Sequence, residues 1–220
     1  MVTVKTRFVG GIMETVLARA RRWRAWLRPY KPFVVSQEYW DAEYAAGQWN
    51  RLRELNQLGH YSIIAGYCHY LKPGGAILDE GCGEGILLDR LDPAKYSRYV
   101  GIDLSAEAID QAASRQDARI EFVQADARTF VPREAFDVVI FNESLYYLED
   151  PVGVVRRFAR LLKAGGILVI SMNSTVSGAK IWKALRPHHT ILDEVQVIHR
   201  SRPPWVVKVP VPSGAGERHG

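Results

Sequence analysis

The sequence has little cysteine and no long hydrophobic run, and both absences narrow what the protein can be. Its 220 residues include two cysteines, Cys68 and Cys82, which do not form the spaced pairs that metal sites use. So few thiols favour a reducing, cytoplasmic compartment. Hydrophobic residues make up 47% of the chain, yet no apolar stretch is long enough to span a bilayer. These features predict one soluble domain with an extension.

Acidic residues are scarce at the N-terminus. Residues 1–35 carry eight lysines and arginines against Glu14 alone, a net charge of +7, whereas the whole chain carries +5 and the remainder therefore −2. The basic charge thus belongs to an N-terminal arm and not to the rest of the chain. A nucleic-acid substrate is disfavoured for that reason.

The arm also has apolar residues at helical spacing between Ile12 and Leu27, with tryptophans and arginines beside them. A basic amphipathic helix of this kind can rest on an anionic membrane, which predicts a peripheral membrane contact through residues 11–28. A helix packed on the domain, with its arginines in solvent, explains the pattern equally well. A transit peptide is disfavoured because the stretch contains no serine.

Residues 76–85 (AILDEGCGEG) are the most informative stretch of the chain. An apolar run typical of a strand leads into three glycines at alternate positions, Gly81, Gly83 and Gly85. Glycines allow backbone angles closed to other residues and let a ligand lie against the main chain. We predict a helix after them, from the apolar residues Ile86, Leu87 and Leu91. Nucleotide-like ligands bind at such a strand-to-helix turn.

Three further predicted strands end in polar residues. Residues 99–102 lead into Asp103, whose carboxylate could accept two hydrogen bonds from a ribose diol. Residues 120–123 precede Asp126 and Ala127, where an acid beside a backbone N–H could bind an adenine ring. Residues 136–141 lead into the segment 142–147 (NESLYY). Because parallel strands end at one edge of a sheet, these groups should face one cleft.

A nicotinamide or flavin dinucleotide site is the rival interpretation of the glycine turn. Its fingerprint requires two residues between the last two glycines, and Gly83 and Gly85 leave one. Asp79 adds an acid that a pyrophosphate would disfavour. A cationic sulfonium ligand is the opposite case, because nearby acids attract it.

Several of these segments resemble the motifs of class I S-adenosylmethionine-dependent methyltransferases. Residues 77–85 closely resemble the first motif, residues 100–105 the second-strand motif and residues 123–127 the adenine-binding motif, while 136–139 and 161–170 are similar to the fourth and fifth strands. The similarity runs from about residue 36 to 211, and residues 142–148 are most like small-molecule members. Glu80 departs from the pattern, since an apolar residue is common there.

The resemblance implies an α/β fold with a doubly wound, mostly parallel seven-stranded Rossmann-like sheet and an antiparallel C-terminal hairpin. It implies S-adenosylmethionine as cofactor, bound by residues of the glycine turn and the strand ends: Asp79, Gly81, Cys82, Gly83, Gly85, Asp103, Leu104, Asp126, Ala127 and Asn142. Cys82 could also be read as a nucleophile, although a small packing residue is the better interpretation. We divide the chain into an arm (1–35), a methyltransferase domain (36–212) with a helical lid (36–71) and a sheet core (76–212), and a disordered tail (213–220).

Residues 36–49 hold an aromatic cluster of Tyr39, Trp40, Tyr44 and Trp49, between Ser36, which can cap a helix, and Gly47, which can end it. In enzymes of this type, such helices fold over the cofactor as a lid, and aromatic faces favour a sulfonium. An ordinary aromatic core stripe remains the alternative. A second helix is predicted over about Leu58 to Leu71.

Methyl transfer from a sulfonium is an in-line displacement, so the protein mainly aligns the reactants and excludes water. A general base is needed only for certain acceptors. The catalytic candidates are Glu143 and His60 as bases and Tyr146 as a positioning group, with Tyr147 beside it. His188 and His189 could reach the cleft from the loop after the fifth strand. No acidic and histidine residues have the spacing of a magnesium site, so we expect no metal.

These arguments predict an S-adenosylmethionine-dependent methyltransferase acting on an oxygen, nitrogen or carbon of a small metabolite, such as a sugar intermediate or secondary metabolite. One alternative is a catalytically silent binding protein of the same fold, docked by its basic arm. Another is an RNA methyltransferase, which the charge distribution disfavours. The sequence does not predict the acceptor or the oligomeric state.

Overall fold

A computed structural model describes residues 32–200 and 202–212 of the chain. The predicted amphipathic helix within residues 11–28 and the tail at 213–220 lie outside these residues. Five α-helices are present in the described part: α1 (Gln37–Ala45), α2 (Leu58–Leu71), α3 (Ala106–Ala112), α4 (Pro151–Ala159) and α5 (Val176–Leu185). The same part of the chain contains seven strands: β1 (Gly75–Glu80), β2 (Tyr96–Asp103), β3 (Ile120–Gln124), β4 (Phe136–Asn142), β5 (Leu162–Asn173), β6 (His189–His199) and β7 (Arg202–Pro212).

The strands form one sheet in the order β3-β2-β1-β4-β5-β7-β6. Strand β1 lies between β2 and β4, with Ile77 opposite Tyr99 on one side and Val138 on the other, and both pairings are parallel. Strand β7 runs antiparallel to β5 and to β6. The predicted fold class, a mostly parallel doubly wound sheet with an antiparallel C-terminal hairpin, is confirmed.

Helices cover both faces of the sheet, which is why the central strands read as continuous apolar runs. On one face, Ile77, Tyr99 and Val138 pack against Ile64 and Cys68 of α2. On the other face, the core consists of sheet residues together with side chains of α4 and α5: Leu78, Val100, Val139, Phe141, Leu168, Val155, Phe158 and Ile181. Every residue of β1 is buried, so its end is rigidly placed.

The carboxyl ends of the four parallel strands β1 to β4 meet at one edge of the sheet. Glu80, Asp103, Gln124 and Asn142 are the last residues of these strands. Ligands bind at this edge in open α/β sheets. The polar strand ends therefore lie at one edge of the sheet, as the sequence predicted.

One helix prediction was wrong. No α-helix follows the glycine turn, where the chain forms turns and a short 3-10 helix at Leu88–Arg90. Gly85 has a φ of +74°, which no residue inside an α-helix adopts, and the N–H groups of Leu88 and Leu91 donate to the carbonyls three residues earlier. Helix α4 ends at Ala159, and the chain then enters β5, where Leu162 pairs with Phe136 of β4.

The predictions near the lid were closer. Helix α2 spans Leu58–Leu71, as expected from the apolar pattern. The Ser36 hydroxyl caps α1 by accepting the backbone N–H of Tyr39 at 3.4 Å, and Gly47 has a φ of +66° just after the helix. No helix in the described part of the chain is long and apolar enough to cross a membrane.

Strand β6 forms one edge of the sheet and is largely exposed. Its pairing with β7 shifts between Ile191 and Asp193, so Leu192 sits in a bulge. Asp193 accepts a hydrogen bond from the hydroxyl of Tyr67 at 2.9 Å, and Glu194 pairs with Lys208 at 2.7 Å. The two acids thus tie the edge strand to α2 and β7.

Candidate active site

A cavity of about 280 Å³ opens at the carboxyl ends of β1 to β4. Its lining comes from those strand ends, from the segment 34–61 and from β7. Twelve of the thirteen residues predicted from the sequence line it: His60, Asp79, Gly81, Cys82, Gly83, Asp103, Leu104, Asp126, Ala127, Asn142, Glu143 and Tyr146. Segments distant in the sequence thus meet at one cavity, as predicted from the polar residues at the strand ends.

Gly81 and Gly83 form the floor of the cavity with left-handed backbone angles, φ +71° and +53°. The N–H groups of Gly81 and Cys82 both donate to the carbonyl of Ile102, at 2.9 and 3.0 Å, which ties the turn to β2. A Cβ on Gly83 would lie 2.6 Å from the Tyr44 hydroxyl. Tyr44 of α1 is thus the side chain closest to Gly83 on the cavity side.

Gly85 and Cys82 have packing roles in this turn. Gly85 is the one predicted cofactor-binding residue outside the cavity lining, and a Cβ there would lie 2.7 Å from the ring of Phe122. The Cys82 sulfur lies against Gly101, where a Cβ would approach it to 2.8 Å. Burial raises the pKa of the Cys82 thiol well above its usual range. A buried neutral thiol is a poor nucleophile, which favours the packing interpretation.

Asp103, at the tip of β2, is held in place by the backbone. One carboxylate oxygen accepts the N–H of Gly83 and the other the N–H of Ser105, each at 2.9 Å. Burial raises the pKa of Asp103 despite these hydrogen bonds. A carboxylate has about four lone-pair sites, so two remain for a ligand.

Asp79 and Asn142 bring two buried acceptor atoms to the same region. Asp79 is 1% exposed and accepts the Tyr99 hydroxyl at 2.7 Å through Oδ2. The Oδ1 atoms of Asp79 and Asn142 are buried and have no hydrogen-bond partner among the described residues. Burial raises the pKa of Asp79 to about 7. Buried polar atoms are normally satisfied, so these two oxygens indicate a place for a donor.

Glu80, where related sequences commonly have an apolar residue, contributes a carboxyl group to the cavity. It is 5% exposed, lines the cavity and accepts the Ser144 hydroxyl at 2.5 Å. Burial raises its pKa to about 8, and the charges of Asp103 and Asp79 add to the shift. A second carboxyl group therefore lies beside the glycine turn.

Asp126, at the end of β3, already has a cationic partner. The guanidinium of Arg128 donates to both of its oxygens, at 2.6 to 3.0 Å, and lowers the pKa of the carboxyl below its usual range. Its neighbour Ala127 is buried, and Leu104 completes this side of the cavity. The adenine end predicted from the sequence is thus close to neutral.

Glu143 has the one left-handed backbone among the described non-glycine residues, with a φ of +61°. Its carboxylate accepts the hydroxyls of Ser171 (3.0 Å) and Tyr146 (3.2 Å) and the side-chain amide of Asn173. Burial raises its pKa to about 7. Such backbone angles cost of order 1 kcal/mol and persist where the surrounding contacts impose them. The surroundings therefore fix this carboxylate in the cavity.

His60 lies in a different part of the cavity. It is 1% exposed, and its ring stacks on that of Trp205 with centroids 4.6 Å apart. Burial, together with the charge of Arg202, lowers the pKa of His60 to about 3. A histidine that binds protons so weakly is a poor general base at neutral pH.

The aromatic residues of α1 and its following turn cover the cavity. The rings of Trp40 and Tyr147 lie 4.8 Å apart, and Trp49 contacts both Trp40 and Tyr44. Asp41 anchors α1 to the start of α3, since its Oδ1 accepts the Ser105 hydroxyl at 2.7 Å and the N–H of Glu107 at 3.2 Å.

His188 and His189 do not reach this site, so that prediction was wrong. His189 lines a separate cavity with Trp182 and Lys208, and His188 is exposed on a 3-10 turn beside it. The turn after α5 directs the chain straight into β6, away from the strand ends. Within residues 32–200 and 202–212, no cluster of three histidine, cysteine or acidic side chains could hold a metal ion.

Known proteins resemble this chain in both sequence and structure. Residues 78–170, from β1 to β5, match a family described as a methyltransferase domain. A ubiquinone biosynthesis O-methyltransferase of Aliivibrio fischeri (strain MJ11) is 29% identical over 142 residues, which cover 62% of this chain and 58% of that protein. The 27-O-demethylrifamycin SV methyltransferase of Amycolatopsis mediterranei (strain S699) is 34% identical over 138 residues, covering 60% of this chain and 48% of that protein.

The fold comparison agrees. The N-methyltransferase NodS of Bradyrhizobium japonicum WM9, solved with S-adenosyl-L-homocysteine, aligns with a TM-score of 0.67 at 19% identity, covering 79% of this chain and 99% of that one. The matched family segment contains the glycine turn and all four polar strand ends. Residues 78–170 of this chain form a class I S-adenosylmethionine-dependent methyltransferase domain.

This assignment confirms the family and the cofactor class expected from the sequence. The methyltransferase family uses S-adenosylmethionine, and the chain spans about half the length of the curated relatives that it matches. Five residues line the cavity without having been predicted: Glu80, Arg51, Gln57, Arg202 and Trp205. Glu80 could have been found as a polar residue in an apolar strand. The other four carry no sequence signal that links them to the strand ends.

Proposed function

We propose that this chain transfers the methyl group of S-adenosylmethionine to an oxygen or nitrogen atom of a small metabolite. The observation that carries the proposal is a fixed carboxylate, Glu143, in the same cavity as the acidic glycine turn. The relatives named above are O-methyltransferases, and the structural neighbour is an N-methyltransferase. A hydroxyl or ammonium acceptor must lose a proton in these reactions.

The residues of the cavity fit the cofactor. The unpartnered Oδ1 atoms of Asp79 and Asn142 would accept the hydrogen atoms of its ammonium group. Asp103 has lone pairs left for a ribose diol, and the N–H of Ala127 lies beside Asp126 at the adenine end. Gly81 lets Ser144 pack closely against the turn, since a Cβ there would lie 2.7 Å from the Cβ of Ser144.

S-adenosylmethionine supplies an electrophilic methyl group on a sulfonium. The protein aligns the reactants, excludes water from the cavity and provides a proton acceptor. Trp40, Tyr44 and Trp49 cover the cavity and keep water from the reacting atoms. Glu143 accepts the proton of the acceptor's hydroxyl or ammonium group. Its pKa of about 7 suits that role, because the carboxylate is substantially ionised at neutral pH and still basic enough to bind a proton.

Tyr146 orients this base. Its hydroxyl donates to Glu143 and also contacts the backbone N–H of Asn173, so the side chain links β4 to the end of β5. Burial raises the pKa of Tyr146, which keeps the phenol protonated. We therefore assign Tyr146 a positioning role and Glu143 the catalytic one, in place of His60.

The charge of the cavity supports a small molecule over RNA. Seven carboxyl side chains line it against three arginines, one of which is already paired with Asp126: Asp79, Glu80, Glu84, Asp103, Asp126, Glu143 and Glu149 against Arg51, Arg128 and Arg202. An acidic enclosed site repels a polyphosphate chain.

The test is methyl transfer from isotope-labelled S-adenosylmethionine into a metabolite extract, followed by mass spectrometry. The protein should label at least one small metabolite. Glu143→Gln should lower the rate by about 10²- to 10⁴-fold, the usual contribution of a general base, while the affinity for S-adenosylhomocysteine stays unchanged. Glu134→Gln, on the surface beside Arg98, is the matched control and should retain full activity.

Two results would contradict the proposal. Binding of S-adenosylhomocysteine without any labelled product would favour a silent binding protein. Full activity of Glu143→Gln would move the base elsewhere or show that the acceptor needs none.

A further inference from the structure

Thirteen cavity-lining residues come from outside the segment 78–170 that matches the family, and four of them are grouped around the start of α2 and on β7. Gln57 and His60 lie at the start of α2, and Arg202 and Trp205 lie on β7. The cofactor half of the cavity is built from the matched segment. These four residues therefore form a part of the site outside the matched segment, and we call it the α2–β7 subsite.

Two polar side chains of the subsite are buried without being satisfied. Gln57 is 3% exposed and His60 is 1% exposed. The Nε2 atom of Gln57 and the Nδ1 atom of His60 are buried and have no hydrogen-bond partner among the described residues. The Gln57 amide nitrogen can only donate, so what it lacks is an acceptor.

Arg202 adds a positive charge to the same subsite. Arg53, Arg98, Arg115 and Arg128 each have a carboxylate within 4 Å, but Arg202 has none among the residues that the structure describes. Arg202 lies three residues before Trp205 on the same strand, and both line the cavity together with His60. His60 stays neutral and stacks on Trp205, which fixes the plane of its ring.

The subsite is therefore rich in donors and short of acceptors. An amide N–H and a guanidinium both seek oxygen atoms, and a neutral imidazole can donate through one of its nitrogens. Burial makes an unsatisfied donor costly, and a guanidinium binds a carboxylate more strongly than a neutral oxygen. The ligand group that satisfies this set is a carboxylate.

We propose that Gln57, His60 and Arg202 bind a carboxylate group of the methyl acceptor, so that the substrates of this site are small acidic metabolites. The proposal rests on the proposed function, because it names the acceptor of that reaction. The proposal also explains why the two parts of the cavity carry opposite charges. Acids at the strand ends attract the cationic cofactor, and the basic subsite directs an anionic acceptor to the other part of the same cavity.

The test is a titration of the protein saturated with S-adenosylhomocysteine, followed by ligand-observed NMR. Benzoate is the probe and benzamide is its neutral counterpart of nearly the same shape. At constant ionic strength, benzoate should bind at least tenfold more tightly than benzamide. Arg202→Gln should weaken benzoate binding at least tenfold and leave benzamide binding and S-adenosylhomocysteine affinity unchanged.

Arg200→Gln is the matched control, because it removes the same charge from an exposed position two residues away. It should leave the affinity for benzoate within twofold of the wild-type value. Gln57→Leu is a second variant that keeps the net charge, and we expect it to weaken benzoate binding about threefold or more. Thermal melting and S-adenosylhomocysteine binding show that each variant is folded.

Equal binding of benzoate and benzamide by the wild-type protein would overturn the carboxylate subsite while leaving the proposed function intact. So would an equal loss in Arg200→Gln and Arg202→Gln, because the effect would then be one of net charge. Failure of the wild-type protein to bind S-adenosylhomocysteine at all would instead contradict the proposed function.

Discussion

Asp79 shows how a single residue links burial to ligand binding. Its carboxyl group is buried, has one unpartnered oxygen and has a pKa near 7. A cationic ligand favours the ionised form. Ligand affinity should therefore rise as pH rises through 7, because below that value the ligand must displace a proton.

We predict that the affinity for S-adenosylhomocysteine increases between pH 6 and pH 8, by up to about tenfold per pH unit at the acidic end. Asp79→Asn should bind more weakly at pH 8 and lose most of the pH dependence. Calorimetric titrations at three pH values measure both. An identical slope in the variant would assign the dependence to Glu80 or Glu143 instead.

At this scale the sequence predicted the residues that follow parallel strands. Asp79, Asp103 and Asn142 could be located because the carboxyl ends of such strands converge. Gln57, Arg202 and Trp205 could not, because no periodicity relates the start of α2 to β7. The low pKa of His60 could not be predicted from the sequence either, since it depends on burial and on the charge of Arg202.

Among the elements, α1 is hydrogen-bonded to α3 mainly through one side chain. Asp41 accepts two hydrogen bonds from the start of α3, and the Tyr44 carbonyl accepts a third from Gln111 at 3.4 Å. No residue of α1 is buried, so these polar contacts hold the helix in place. The lid function itself remains a prediction.

We predict that Asp41→Ala loosens α1 without unfolding the sheet. Hydrogen exchange should become faster in residues 37–49 and remain unchanged in β1 and β4. The affinity for S-adenosylhomocysteine should fall about threefold to tenfold, the scale of one or two hydrogen bonds. Asp110→Ala removes an exposed acid from α3 and is the control. Unchanged exchange in Asp41→Ala would show that the aromatic contacts alone retain the helix.

Helices with an uninterrupted apolar pattern were predictable as elements, and those near glycine were not. Helix α2 matched its expected bounds because nothing within Leu58–Leu71 interrupts it. The turn after β1 lacked the expected helix because Gly85 takes a left-handed angle, and glycine allows that angle without requiring it. The end of α4 depended on which residue β4 pairs with, which is a tertiary contact.

For the whole molecule, three buried carboxyl groups set the pH dependence of stability. Burial raises the pKa values of Asp79 and Glu143 to about 7 and that of Glu80 to about 8, from ordinary values near 4. Between pH 5 and pH 8 the folded protein therefore holds more protons than the unfolded chain. The free energy of unfolding should fall as pH rises through this window.

Glu80→Gln isolates one of these groups. It keeps an acceptor for the Ser144 hydroxyl but cannot ionise. We predict that it stabilises the ligand-free protein at pH 8.5 by about 1 to 3 kcal/mol, the cost of an ill-compensated buried polar group, and changes nothing at pH 5. Thermal melting at both values measures this. Glu149→Gln, at an exposed position, should have no effect at either pH. Equal melting of wild type and Glu80→Gln at pH 8.5 would show that the buried charge is well solvated.

The bulge and the two acids of β6 have a consequence for self-association. An edge strand offers unpaired N–H and C=O groups to any other sheet, and exposed Leu192 and Ile198 would add to such an attraction. Leu192 interrupts the regular ladder, and Asp193 and Glu194 place negative charge at its centre. A second copy that paired along β6 would bring four carboxylates together. Resistance to self-association at high protein concentration thus depends on residues far from the cavity. Replacing Asp193 and Glu194 with apolar residues would promote edge-to-edge pairing of β6 between two copies.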